Sequence, residues 1–380
     1  MGTAGGVRLS DAASAEISGT FTPEMSGAHT FGMAGVGTYR LEVDGAVISE
    51  GRLRASGDDP GGAFLNPQEA RAEAVLEAGR PVHVRLTVAV RDRGDMTFTA
   101  FALGHAGPGP PPGELIAEAV HAAREADVAV VVVGTSEEVE SEGRDRTGLW
   151  LPGRQDELVR AVADACPRTV VVVNAGSPVE LPWAEDVAAV LLGWFPGQEG
   201  GAALADVLLG HAEPGGRLPT TWPVALADCP VTEVRPHDGE LRYDEGVFIG
   251  YRAWQRAGVL PRYPFGHGRG YTTWAYESAT AEAGTVRVRL RNTGDRPGRE
   301  VVQVYLTPED PGPDRPDRVL AGFATVTAEP GETVTAEITL SPRAGQIWDD
   351  TAHAFRPAPD PHTLEIAHSL TDVRLTVPYA

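Results

Sequence analysis

Four glutamates, Glu137, Glu138, Glu140 and Glu142, crowd the stretch EEVESEGRDR, which closes on Asp145 and Arg146. Carboxylates held near one another raise each other's pKa, toward the range in which a general acid works. The stretch follows DVAVVVVGT, an apolar run that reads as a buried strand, and α/β sheets carry their functional loops at the carboxyl ends of strands. Acidic loops are also the commonest solvated surface, because carboxylates are mostly exposed. The residues alone leave both readings open.

Other groups point less clearly to chemistry. Gly266, Gly268 and Gly270 in FGHGRG lack the GxGxxG spacing and the strand-turn-helix context of a dinucleotide site, so a tight turn is the expectation. His267 within that turn reads as a satisfied structural histidine. Ser177 in NAGSP lacks the GxSxG elbow of a nucleophilic serine. The rings of Trp183, Trp194, Phe195, Trp254 and Trp274 suit the faces of a sugar, yet large aromatics more often fill cores. Cys166 and Cys229 belong to no metal-ligand pattern, and buried free thiols are expected. Neither a metal nor a cofactor is called for.

Positioning such groups requires a large interior, and 380 residues with 42% hydrophobic and 22% charged side chains supply two or three domains of ordinary size. The net charge is −21 and all 32 cations are arginine, a surface that repels nucleic-acid phosphates and anionic headgroups. No nucleic-acid or membrane partner is expected. The N-terminal residues show no basic segment followed by an apolar one, so the expected location is the cytoplasm.

Three textures follow one another along the chain. Between Ala15 and Leu103, short alternating segments such as TYRLEVDGAVI and PVHVRLTVAV indicate antiparallel strands, with Asp44-Gly45 as a hairpin turn after Tyr39. Residues 1–106 therefore form a β-sandwich, and the Pro/Gly run over 107–113 is a stiff linker. Residues 114–272 alternate helical stretches with valine-rich strands, which predicts an α/β domain whose mostly parallel sheet is buried on both faces. Alternation returns in residues 273–380, as in TVRVRLRNTG and EVVQVYLTP, and fits a seven-stranded immunoglobulin-like or fibronectin-type sandwich.

The central blocks VVVVGTSEEVESEGRDRTGLWLPGRQDELV, VVVVNAGSPVELPW, LLGWFPGQEGGAALADVLLGHAEPGGRLPTTWP and YPFGHGRGYTTWAYE resemble the α/β-sandwich domain of family 3 glycoside hydrolases of the β-glucosidase type. NTGDRPGREVVQVYL and HTLEIAHS are similar to the fibronectin type III-like domain of those enzymes. SGTFTPEMSGAHTFGMAGVGTYRLEVDGAVI resembles part of their protective-antigen-type insert, whose first strands have no counterpart here.

The resemblance implies hydrolysis of terminal β-linked sugars by a retaining mechanism with two carboxylates. It places the acid/base at Glu142, with Glu140 as the nearest rival and with Asp145 and Arg146 supporting the loop. It places the nucleophile on an N-terminal barrel of about 250 residues, and nothing in these residues resembles that barrel. The expected partners are a β-linked oligosaccharide or glucoside and a separate barrel-containing chain. The competing expectation is a non-catalytic carbohydrate-binding or structural remnant. A start codon lying inside a longer reading frame is a third expectation, and it reduces to the first.

Overall fold

The computed structural model describes residues 3–4, 7–8, 13–54, 68–89, 101–137, 139–141, 146–232 and 235–379. They fall into two compact units: residues 1–129, 135–147 and 152–168 in one, and 130–134, 148–151 and 169–380 in the other.

In the first unit, β1 (Thr3–Ala4) and β2 (Val7–Arg8) form a short antiparallel ladder. A sandwich follows. One sheet runs β3 (Ser14–Phe21), β8 (Val82–Ala89), β5 (Gly37–Val43), β6 (Ala46–Leu53), and the other β7 (Glu69–Leu76), β4 (Gly27–Gly35), β9 (Phe101–Ala106). The alternation read from the sequence sets the register. Tyr39, Leu41 and Val43 stand opposite Val88, Leu86 and Val84, and all six point into the core with Phe31 and Met33. A one-residue slip would turn every one of them to water. Asp44 (φ 50°) and Gly45 (φ 79°) make the left-handed turn between β5 and β6. The Asp44 carboxylate accepts the His83 amide at 2.7 Å, which fixes the turn to the neighbouring strand.

Helix α1 (Pro112–Arg124) starts inside the proline run, two residues earlier than composition suggests. A proline in the first turn loses no hydrogen bond, because amide donors there have no helical partner. Helix α2 (Gln155–Ala165) packs against α1, carries Asp156 and Glu157 at its positive end, and buries Val159, Val162 and Ala163.

The second unit opens with a three-stranded sheet, β10 (Ala129–Gly134), β11 (Thr169–Asn174) and β12 (Ala189–Leu192), in which β11 and β12 pair in parallel. β11 is buried along nearly its whole length, as its valine run predicts. β10 differs: Val131 and Val133 are buried, whereas Val130 and Val132 are 47% and 54% exposed. A continuous apolar run specifies that both faces are apolar and says nothing about what covers each. Helices α3 (Gly200–Leu208) and α4 (Tyr251–Ala257) complete this part.

The C-terminal sandwich sets β13 (Trp274–Glu282), β14 (Thr285–Asn292) and β17 (Thr333–Thr339) against β16 (Val319–Ala328), β15 (Gly298–Pro308), β20 (His362–Ser369) and β21 (Asp372–Tyr379). That is the seven-strand fibronectin-type arrangement, with β18 (Gln346–Asp349) and β19 (Ala354–Pro357) as an added hairpin. Val286, Val288, Leu290, Val302, Val304, Ile338 and Ile366 fill it without solvent exposure. Each such side chain contributes roughly 1.5–3 kcal/mol relative to an exposed one.

Candidate active site

The acidic loop leaves the carboxyl end of β10 at Gly134. Val139 and Glu140 amides both donate to the Ser136 carbonyl, at 2.8 and 2.9 Å, closing a turn. There the Glu140 carboxylate meets the Arg146 guanidinium at 3.4 Å, with side chains only 12% and 15% exposed. Burial pulls the Arg146 pKa down, and the Glu140 charge partly offsets that pull. The pair joins the two ends of the loop like a clasp. Glu138, Glu142 and Asp145 lie outside the described residues.

Within the second unit, the carboxyl ends of the three strands are tightly built. A Cβ at Gly134 would fall 2.2 Å from the Asn174 carbonyl oxygen, and one at Gly193 would fall 2.6 Å from the Asn174 Oδ1. Asn174 is thus flanked by two glycines at the carboxyl end of the central strand. Immediately beyond, Trp194 adopts φ 54°, an unusual backbone state for a bulky side chain, and Phe195 stands out in solvent. Trp183 and Trp254 are buried and Trp274 packs on the C-terminal core, so of the five aromatics singled out in the sequence only Trp194 and Phe195 present ring surface at a strand end. Trp150, exposed just after the acidic loop, was not singled out.

The glycine-rich turn proves to be a packing device. A Cβ at Gly266 would sit 2.0 Å from Gln303 Oε1, at Gly268 2.2 Å from the Gly216 carbonyl oxygen, and at Gly270 1.9 Å from Glu213 Oε1. Gly268 meets backbone and Gly266 adopts a left-handed φ of 78°, so these two positions favour glycine, whereas Gly270 faces the movable end of the Glu213 side chain. Cys166 is buried and Cys229 half-buried, and both are free thiols.

His267 stacks on Tyr263, with ring centres 5.1 Å apart. Burial lowers its pKa first, and the charges of Arg269, His368 and Arg217 lower it further. A histidine whose folded value lies below the unfolded one favours the neutral ring, so its contribution is intact above the unfolded value and is lost as pH falls. Urea midpoints of the wild type are therefore expected to fall between pH 7 and pH 5, and His267→Phe is expected to flatten that slope. Equal slopes in both proteins would count against this role.

Sequence reading missed a buried charge cluster behind this turn. Glu300, 1% exposed, uses Oε1 to accept from Arg217 at 3.1 Å and from the Tyr276 hydroxyl at 3.2 Å, and His368 Nδ1 lies 2.9 Å away. His368 Nε2 faces the Gly268 carbonyl oxygen at 3.0 Å. Burial, then the Glu300 charge, pushes the Tyr276 phenol far above its usual range, so it remains a donor. A signal was present in EVVQVYL, since Glu300 shares the inward parity of Val302, Val304 and Leu306.

A family model, the Glycosyl hydrolase family 3 C-terminal domain, matches residues 13–271. The chain belongs to glycoside hydrolase family 3. A Fibronectin type III-like domain model matches residues 300–370 of the same family 3 chain. Over 274 residues the chain is 43% identical to a beta-glucosidase of Rhizobium radiobacter, covering 69% of this chain and 34% of that protein. Beta-glucosidase B of Emericella nidulans is 37% identical over 361 residues, covering 88% of this chain and 42% of that protein. The crystal structure of a beta-glucosidase from Kluyveromyces marxianus in complex with glucose superposes with a TM-score of 0.84 at 30% identity, covering 96% of this chain and 44% of that one. The family 3 chain thus spans less than half the length of these relatives.

Proposed function

We propose that this chain supplies the acid/base loop of a β-glucosidase-type hydrolase that cleaves terminal β-linked sugars with retention. Membership of family 3, together with an acidic loop leaving the carboxyl end of β10, is the observation that carries this reading. Glu142 is the acid/base: it protonates the leaving oxygen and then deprotonates the attacking water. Asp145 and Arg146 hold the loop. Glu140, the nearest rival, meets Arg146 at 3.4 Å, and this reading gives it the part of a loop anchor. The nucleophile comes from a barrel outside these 380 residues, on the same polypeptide or a separate one. The uncovered valines of β10 support a missing neighbour. The substrate is a β-linked oligosaccharide or glucoside. The same reading assigns 1–106 to a partial insert, 114–272 to the α/β domain and 273–380 to the fibronectin-like domain.

A retaining pair sets its carboxyls about 5–5.5 Å apart, and two inversions return the original configuration. The first-formed sugar released by the barrel-bearing enzyme is therefore expected to be the β-anomer by proton NMR. An initial α-anomer would rule out the double displacement.

A further inference from the structure

A cleft of about 620 Å³ opens within the second unit, where the segment after α3, Tyr271, the β14–β15 turn and the β16–β17 turn come together. Its volume is in the range of small-molecule sites, roughly 300–1,000 Å³. We propose that this cleft binds a neutral sugar.

The walls are fixed before any ligand arrives. The Tyr271 amide donates to both oxygens of Glu213, at 3.0 and 3.1 Å, and its hydroxyl donates to the Val207 carbonyl at 2.6 Å. The Arg296 guanidinium donates to the Gly210 carbonyl and lies 5.3 Å from the centre of the Tyr271 ring. The Glu332 carboxylate accepts the Glu329 amide at 2.8 Å. Behind them, buried Asn292 donates to the carbonyls of Arg296 and Ala328, at 2.7 and 3.0 Å, tying the two sandwich turns together. A site held this way loses little entropy when a ligand enters.

These bonds leave a particular set of groups facing the space. Arg299 has no ion-pair partner among the described residues, and neither does the Glu329 carboxylate. The carboxylate oxygens of Glu213 and Glu332 keep spare acceptor capacity, since each can accept more than one hydrogen bond. Tyr271 is 40% exposed. The lining therefore offers planar donors, planar acceptors and one aromatic face.

Charge narrows the ligand class. Two cations, Arg296 and Arg299, face three anions, Glu213, Glu329 and Glu332, a lining charge of 2 − 3 = −1. An anion meets that excess and the −21 of the whole chain, which leaves neutral and cationic ligands. A neutral molecule dense in hydroxyls uses both kinds of group: adjacent hydroxyls donate to a carboxylate and accept from a guanidinium, and the C–H face of a pyranose covers the ring. The choice of a sugar among neutral polyols rests on the family 3 reading above.

The test is calorimetric titration of the 380-residue chain with cellobiose and, separately, with glucose and inorganic phosphate. Saturable cellobiose binding with a Kd on the order of a millimolar is expected, weakened at least about tenfold by Arg299→Ala and by the near-isosteric Glu329→Gln, each with an unchanged melting temperature. Glu142→Gln should leave the affinity as it is, so that binding here and hydrolysis in an assembled enzyme fail or succeed separately. No saturable sugar binding, sugar binding indifferent to both variants, or phosphate binding lost with Arg299 would each overturn the proposal.

Discussion

Replacing Glu142 by Gln in the barrel-bearing enzyme is expected to lower kcat by roughly 10²–10⁴-fold on substrates with a poor leaving group. The amide occupies the same space but carries no transferable proton. The size of the loss should depend on the leaving group. An alkyl glucoside needs protonation to depart, whereas an aryl glucoside with an acidic phenol departs without it, so the first bond-breaking step of the latter should be spared. Glu140→Gln makes the contrast. Its partner Arg146 lies at 3.4 Å and is mostly buried, so this change loosens the clasp and lowers activity on both substrate types by a similar factor. Steady-state kinetics over a series of leaving groups separates the two: a steep dependence for Glu142→Gln and a flat one for Glu140→Gln. The reverse pattern would move the proton donor to Glu140.

Glu300→Ala is expected to destabilise the second unit by ~3–5 kcal/mol, the usual cost of stranding a buried charge. Arg217, with a side chain 7% exposed, would lose its carboxylate partner, and Tyr276 and His368 would lose the same acceptor. Removing both charges is a different matter, because well-packed apolar replacements for a buried pair are often neutral. The double variant Arg217→Met/Glu300→Leu should recover most of the loss. Urea unfolding followed by far-ultraviolet circular dichroism reads both. Additive losses in the double variant would show that the cluster is not acting as a coupled unit.

The two sandwiches were legible because strand alternation has a period of two and each inward set is apolar, from Tyr39–Leu41–Val43 to Val286–Val288–Leu290. Asp44-Gly45 was legible because a left-handed two-residue turn admits few side chains. The valine runs announced strands, but the exposure of Val130 and Val132 could not be read from them, since the covering segment is a tertiary fact. The GHGRG glycines looked like a loop motif. Their cause, contacts with Gln303, Gly216 and Glu213, depends on residues 37 to 57 positions away in the chain. The charge cluster was half legible: an inward glutamate in EVVQVYL demands a partner, while the identity of Arg217, 83 residues earlier, does not follow from spacing. For the acid/base loop the order was reversed. The resemblance to the family selected Glu142, which lies outside the described residues, and the structure contributed the Glu140–Arg146 ion pair.

The most direct measurement is the hydrolysis of an aryl β-glucoside by the purified 380-residue chain, first alone and then with a family 3 barrel polypeptide added to it. No turnover alone, and turnover with the barrel that Glu142→Gln removes from alkyl substrates, is the result expected of a chain that carries one carboxylate of two. Turnover by the chain alone, abolished by Glu142→Gln, would contradict the account by placing the nucleophile within these residues. Silence in both conditions would contradict it in favour of the non-catalytic remnant.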